Sequence, residues 1–229
     1  MINLNYYNVI YSIMSDIRMN NLPVLISYPR SGSNWFNAVM ELYFNRPRLR
    51  RGPSSFLPDG NNRKDYMWFH DHDIFSKLKL NHNNIAYLYR NPSDVIYSLL
   101  VAEKKHINKN SINIQINLLS KHYKKYLLTN TPKTIIRYEY LKGKNYLKEF
   151  YKFIRFFGYK TINEQKLNNH LKIVTKSNLI EKNKNNDYFT KKLESEKYSN
   201  NRIIFKNEFE NYINKELITD ELLKFFTST

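Results

Sequence analysis

The chain has 229 residues, 41% of them apolar, with 19 tyrosines, 14 phenylalanines, no cysteine and a formal net charge of +17. That length suits one globular domain with an aromatic-rich core, and the lack of cysteine excludes disulfides, thiolate catalysis and Cys-ligated zinc. No stretch has the roughly 18 consecutive apolar residues of a transmembrane helix, and polar residues interrupt the N-terminal run MINLNYYNVIYSIMSDIR where a signal peptide needs an apolar region, so a soluble cytoplasmic protein is expected.

Residues 6–18 read as a short helix, 23–29 as a buried strand and 34–45 as its crossover helix. Between strand and helix lies the turn Tyr28-Pro29-Arg30-Ser31-Gly32-Ser33-Asn34-Trp35. A tight turn at a helix N-terminus gathers unpaired backbone N–H groups where the helix dipole favours negative charge, which suits a phosphate or a sulfate. The same residues also serve plain turn chemistry. The turn departs from G-x-x-x-x-G-K-[ST] and lacks the Lys-Ser/Thr pair that holds Mg²⁺, which disfavours a nucleoside triphosphatase.

Arg46–Lys64, rich in Pro, Gly, Arg and Asn, reads as a long loop, and Tyr66–His70 as a second strand. That strand runs out into MWFHDHDIF. Alternation puts His70 and His72 on one face and Asp71 and Asp73 on the other. The four fit three settings: a general base, a divalent-metal site or a solvated strand end. His82, His106, His122 and His170 read as surface residues.

Asn84–Tyr89 is the third strand and Pro92 to about His106 the next helix. Asn91 suits the N-cap, Pro92 the first helical position and Asp94 the capping box. Arg90 and Ser98 are not explained by capping; from a strand's C-terminal edge and the second turn of a helix they can converge on one anion. Residues 111–128 have helical spacing, Thr134–Tyr138 is a β-branched strand and Tyr146–Phe157 an amphipathic helix. From 175 to 201 the chain turns to Lys, Asn, Glu and Ser, as in a mobile lid or a disordered loop. ITDELLKFF near the C-terminus reads as a helix. Strands alternating with helices predict an α/β fold: three layers, with a mostly parallel sheet between helices, in one domain over 1–229.

Tyr28–Trp35 resembles the 5′-phosphosulfate loop Y-P-K-S-G-T-T-W of the PAPS-dependent sulfotransferase family, with Arg30 at the family's Lys. Arg90-Asn-Pro-Ser-Asp-Val-Ile-Tyr-Ser98 matches that family's 3′-phosphate motif R-N-P-x-D-x-x-x-S. Tyr138-Glu139-Tyr140-Leu141 is similar to its Y-E-x-L, whose Tyr lies near the adenine, and Arg202 and Asn211 align with its late R-K-G-x-x-G-x-W-x-N element. Both glycines of that element are missing here, and Phe209 stands for its Trp. The family's K-T-H, laid on this chain, puts His72 at its His and His70 at its Lys.

The resemblance spans about Pro23 to Asn211 and implies the donor 3′-phosphoadenosine 5′-phosphosulfate (PAPS), with no metal required. It implies that Arg30, Ser31, Gly32, Ser33, Asn34, Trp35, Arg90, Ser98, Tyr138 and Arg202 hold the donor; Trp35 suits base stacking or plain core packing equally. His72 becomes the base and Arg30 an electrostatic stabiliser of the leaving phosphate, since Arg keeps its proton. His70 would help place the acceptor or the sulfuryl oxygens.

The implied reaction is in-line sulfuryl transfer to a hydroxyl, less readily an amine, of a small molecule or glycan. The acceptor itself is not legible, and the family's dimerisation motif K-x-x-x-T-V-x-x-x-E is not evident, which leaves the oligomeric state open. The positive charge ordinarily points to polyanions. Lysine is spread along the chain, however, beside much Asn, Ile and Tyr, as AT-rich coding alone produces, and no specific nucleic-acid partner is expected. Three rivals stay open: a nucleotide kinase, a nucleotide-binding protein without turnover and a basic nucleic-acid-binding protein.

Overall fold

Every residue of β1 (Val24–Ser27) is buried, as a strand covered by helices on both faces requires. The structure, a computed structural model, describes residues 22–50, 57–58, 65–75, 85–128, 133–175, 178 and 196–217. Within them β1 pairs with β3 (Phe69–Asp71) on one side and β4 (Ile85–Tyr89) on the other. β2 (Leu49–Arg50) extends the sheet beyond β3, and β5 (Lys133–Arg137) extends it beyond β4. The order is β2-β3-β1-β4-β5, with every one of these pairings parallel.

Alternate residues face opposite layers. Val24, Ile26, Ile85 and Tyr87 share one apolar cluster with α2 (Pro92–Ala102), α3 (Lys109–Leu127) and α7 (Glu196–Leu217). Leu25, Ala86 and Leu88 share the other with α1 (Ser33–Phe44), α5 (Tyr146–Phe156) and α6 (Glu164–Ile173). The expected α/β architecture is thus present, with helices on both faces.

Several predicted boundaries move. The loop expected at Arg46–Lys64 contains the two-residue strand β2, too short to leave a periodic signal. The second strand lies at Phe69–Asp71 rather than Tyr66–His70. Tyr138 does not end β5 but opens a single-turn helix, α4 (Tyr138–Leu141). α2 stops at Ala102, short of His106, where Glu103 caps it and Lys104 takes a φ of 54°.

The stretch 175–201 is only partly described, and its last residues, 196–201, are the first turns of α7 rather than a loop. The predicted helices at 6–18 and in ITDELLKFF, along with His82, lie outside the described residues. α1 ends at Asn45, which takes the left-handed conformation common at helix ends (φ 53°).

Candidate active site

β1 sits between β3 and β4, so the C-terminal ends of three strands open side by side, where successive strands change direction across the sheet and parallel folds bind ligands. The turn after β1 is built around Gly32, the N-cap of α1, whose φ of 85° disfavours any side chain. A Cβ there would also lie 2.1 Å from Cε2 of Tyr138, so the glycine admits that ring against the turn. No side chain caps α1, and its first turn carries no acidic residue. The N–H groups of this helix end are therefore left for an anion. Ser31 and Ser33 are buried in the turn, with Asn34 and Trp35 half-buried beside them.

Arg30, itself in the left-handed region at φ 70°, reaches across to α2 and donates from Nε to Ser98 Oγ at 3.0 Å. Arg90, at the end of β4, donates from Nη1 to the Arg30 carbonyl at 2.8 Å. The structure thus brings together the three residues that the sequence placed around two anion subsites. Arg90 Nε is buried and has no hydrogen-bond partner among the described residues. An orphaned guanidinium N–H suits an incoming phosphate oxygen.

The ring of Tyr138 lies under two cations, with Arg90 Cζ 4.8 Å and Lys142 Nζ 5.0 Å from its centre. Trp35 meets Tyr138 edge-on at 6.3 Å and donates from Nε1 to the Val174 carbonyl at 3.0 Å. Its ring is fixed in place while still flanking the turn. Asn91 caps α2 as expected, accepting from the Asp94 N–H at 3.3 Å. Arg202 pairs with Asp94 of α2, to which it donates from Nε at 2.8 Å, and Lys206 flanks the pair at 3.8 Å. The late element that carries Arg202 is here part of helix α7.

The histidine pair converges on β1. Ser27 Oγ lies 3.1 Å from His70 Nε2 and 3.3 Å from His72 Nδ1, and the Ser27 carbonyl oxygen lies 2.8 Å from His72 Nδ1. A carbonyl can only accept, so His72 Nδ1 carries the proton and Nε2 keeps its lone pair. Ser27 Oγ can then donate to His70 Nε2. His70 and His72 share a face as predicted, but His70 is buried, with its ring turned into the protein.

Burial holds both imidazoles below their ordinary pKa. For His70 the neighbouring His72 and Arg48 act in the same direction; for His72 the bond to Ser27 opposes it. Asp73, on the far side, accepts from Lys125 Nζ at 2.6 Å and from Tyr126 OH. Among the described residues no cluster of three or more His, Asp or Glu is arranged to hold a metal ion.

Sequence reasoning misassigned His122. It is fully buried on α3 rather than on the surface, with Nε2 2.8 Å from the His72 carbonyl oxygen and Nδ1 2.9 Å from Tyr87 OH. It also overlooked Ser27 and the buried ion pair of Arg48 with Glu41 (2.8 Å). Spacing held a signal for His122. It falls three residues after Leu119 and four before Tyr126, within the apolar stripe of an amphipathic helix.

A family model described as a sulfotransferase domain matches residues 23–229. Among solved structures, this chain is similar to mouse sulfotransferase SULT7A1 complexed with PAP, at 15% sequence identity and a TM-score of 0.60, over 93% of this chain and 91% of that one. Identity that low speaks for the fold. No curated protein matches the chain.

Proposed function

This chain belongs to the sulfotransferase domain family, enzymes whose donor is PAPS, and on that premise we propose that it transfers the sulfuryl group to a hydroxyl of a small molecule or glycan, with His72 as base and Arg30 stabilising the leaving phosphate. One observation supports the assignment: His72 gives its Nδ1–H to the carbonyl of Ser27, the residue before the turn, at 2.8 Å, which leaves Nε2 as the proton acceptor. The depressed pKa keeps that nitrogen unprotonated near neutral pH.

In the proposed reaction the acceptor oxygen forms a bond to sulfur as the bond from sulfur to the 5′-phosphate oxygen breaks. The acceptor's proton goes to His72 Nε2, and the charge released on the phosphate meets Arg30 and the uncapped N–H groups of α1. Arg30 works electrostatically, because a guanidinium does not give up its proton at neutral pH. Ser31, Gly32, Ser33 and Asn34 hold the phosphosulfate end, Arg90 and Ser98 the 3′-phosphate, and Trp35 and Tyr138 the base. His70 acts through the Ser27 hydroxyl that it shares with His72, as a positioning residue. Arg202, oriented by Asp94 through Nε and Nη2, would meet the donor through Nη1.

Thermal shift with 3′,5′-bisphosphoadenosine, set against ATP plus Mg²⁺ and AMP, tests the donor site. Stabilisation by the bisphosphate is expected, and a response confined to ATP plus Mg²⁺ would overturn the reading. Transfer from labelled PAPS to a panel of phenols, alcohols, amines and glycans then identifies the acceptor class.

A further inference from the structure

One face of α3 touches all three strand ends that form the site. Gln115 accepts from Tyr28 OH at 3.3 Å, His122 reaches the His72 carbonyl, Lys125 and Tyr126 hold Asp73, and Tyr123 OH donates to the Arg90 carbonyl at 3.3 Å. These residues recur at helical spacing, so a single rigid element sets the positions of the donor turn, the base and the second anion site relative to one another. His122 lies at the centre of this brace. Its ring meets Tyr28, the first residue of the turn, edge-on at 5.2 Å, and its Nε2–H ends on the backbone of His72. Because the carbonyl fixes the proton on Nε2, Nδ1 must accept from Tyr87 OH. Both ring nitrogens are thereby committed, and the ring has one orientation.

We infer that His122 is a positioning residue for sulfuryl transfer: through the His72 backbone it fixes where the His72 imidazole stands relative to the donor turn. The inference rests on the reading of His72 as the base. Displacing a base by about 1 Å can cost on the order of a hundredfold in rate without touching substrate affinity. Loss of the His122 contact should therefore appear in turnover and leave donor binding unchanged.

The test compares His122→Leu, which fills the space without a donor, with His122→Gln, whose amide N–H can still reach the His72 carbonyl. The acceptor is the one with the highest turnover in the panel. His122→Leu is expected to lower kcat at least tenfold, with the Kd for 3′,5′-bisphosphoadenosine within twofold of the parent, and His122→Gln to restore most of the loss. Nitrogen-15 spectra of His72, which need no acceptor, should show the Nδ1-protonated form losing ground in the Leu variant and recovering in the Gln variant.

A parent-like kcat together with an unchanged His72 spectrum in folded His122→Leu would overturn the inference, as would a Gln variant no better than Leu in both readouts. If His122→Leu does not fold, Tyr87→Phe removes only the hydroxyl that orients the ring. A several-fold lower kcat is then expected, and unchanged turnover refutes the proposal. His72→Ala, measured alongside, separates the two ideas. Full turnover there removes the base assignment, whereas an inactive His72→Ala beside an unaffected His122→Leu removes only this one.

Discussion

The proposed donor end and the proposed base end of the site are built in opposite ways. At the proposed donor end, recognition lies in short segments: the turn Tyr28–Trp35 supplies backbone N–H groups and Arg30, and Arg90–Ser98 supplies a guanidinium and, eight residues on, a hydroxyl on the second turn of α2. At the proposed base end the groups that hold His72 come from far along the chain, although His70 lies only two residues before it. His72 takes its tautomer from Ser27 and its backbone position from His122, 45 residues before it and 50 after it. Binding a phosphate needs charges and donors of the right kind within one or two turns, which short motifs can encode. Aiming a base requires a position held from several directions, which only the assembled sheet and helices provide.

The largest expected effect would separate the two ends outright. His72→Ala should lower kcat by roughly 10²–10⁴, the range for a lost general base, while donor affinity, read by titration with 3′,5′-bisphosphoadenosine, stays near that of the parent. Loss of affinity equal to the loss of turnover would mean that the two ends are not independent. Next in size is Arg30→Ala, where removal of a preorganised charge should cost roughly 10²–10³ in kcat. Arg30→Lys should recover a good part of it, since the charge returns without the bidentate fork. A Lys variant as impaired as Ala would assign the Arg30 side chain to holding the turn against α2, through its Nε contact with Ser98, rather than to charge stabilisation.

Legibility followed the same division. Gly32 and the capping of α2 could be placed from the sequence because each owes its conformation to near neighbours, and Arg90 and Ser98 because they fall in one short motif; the structure puts Gly32 in the turn after β1, Arg90 at the end of β4 and Ser98 on the second turn of α2, both in contact with Arg30. The alternation of strands and helices was legible for the same local reason. His122 was not: a histidine in an apolar stripe has the same spacing whether it fills the core or braces a site, and only the pairing of β1 with β3 and β4 brings His72 under α3. Arg202 differs again: its sequence match points to the donor, and the structure pairs its guanidinium with Asp94, a residue that the sequence had placed only as a helix cap.

A smaller effect sharpens the donor half. Arg90→Ala removes a partly buried guanidinium whose Nε lacks a partner, so the Kd for 3′,5′-bisphosphoadenosine should rise about 10- to 100-fold, in line with loss of a charge-assisted hydrogen bond. Little change is expected for AMP, which has no 3′-phosphate. An equal loss for both ligands would place Arg90 at the 5′ end instead. Gly32→Ala should also weaken binding, since its Cβ would displace Tyr138.

The smallest expected effect concerns stability and comes from the base half. His122 is neutral in the fold, with burial as the main cause bringing its pKa down to about 4; the bond to the His72 carbonyl and the charge of Asp73 pull upward, while His72 and Lys125 push further down. In the unfolded chain the same imidazole titrates near 6.5. Below that pH the unfolded state binds a proton that the native state refuses, so stability falls as pH drops from about 6.5 toward 4 and is flat above it. Between pH 7 and 5.5 the loss from His122 alone should be about 1 kcal/mol, or roughly 2–4 °C in Tm for a chain of this size. His70 and His72, also depressed, add in the same direction. Urea midpoints of the parent and His122→Gln at the two pH values isolate the His122 share, because the glutamine cannot titrate. A smaller acid loss in the variant is expected, and equal losses would mean that His122 accepts its proton without leaving the brace.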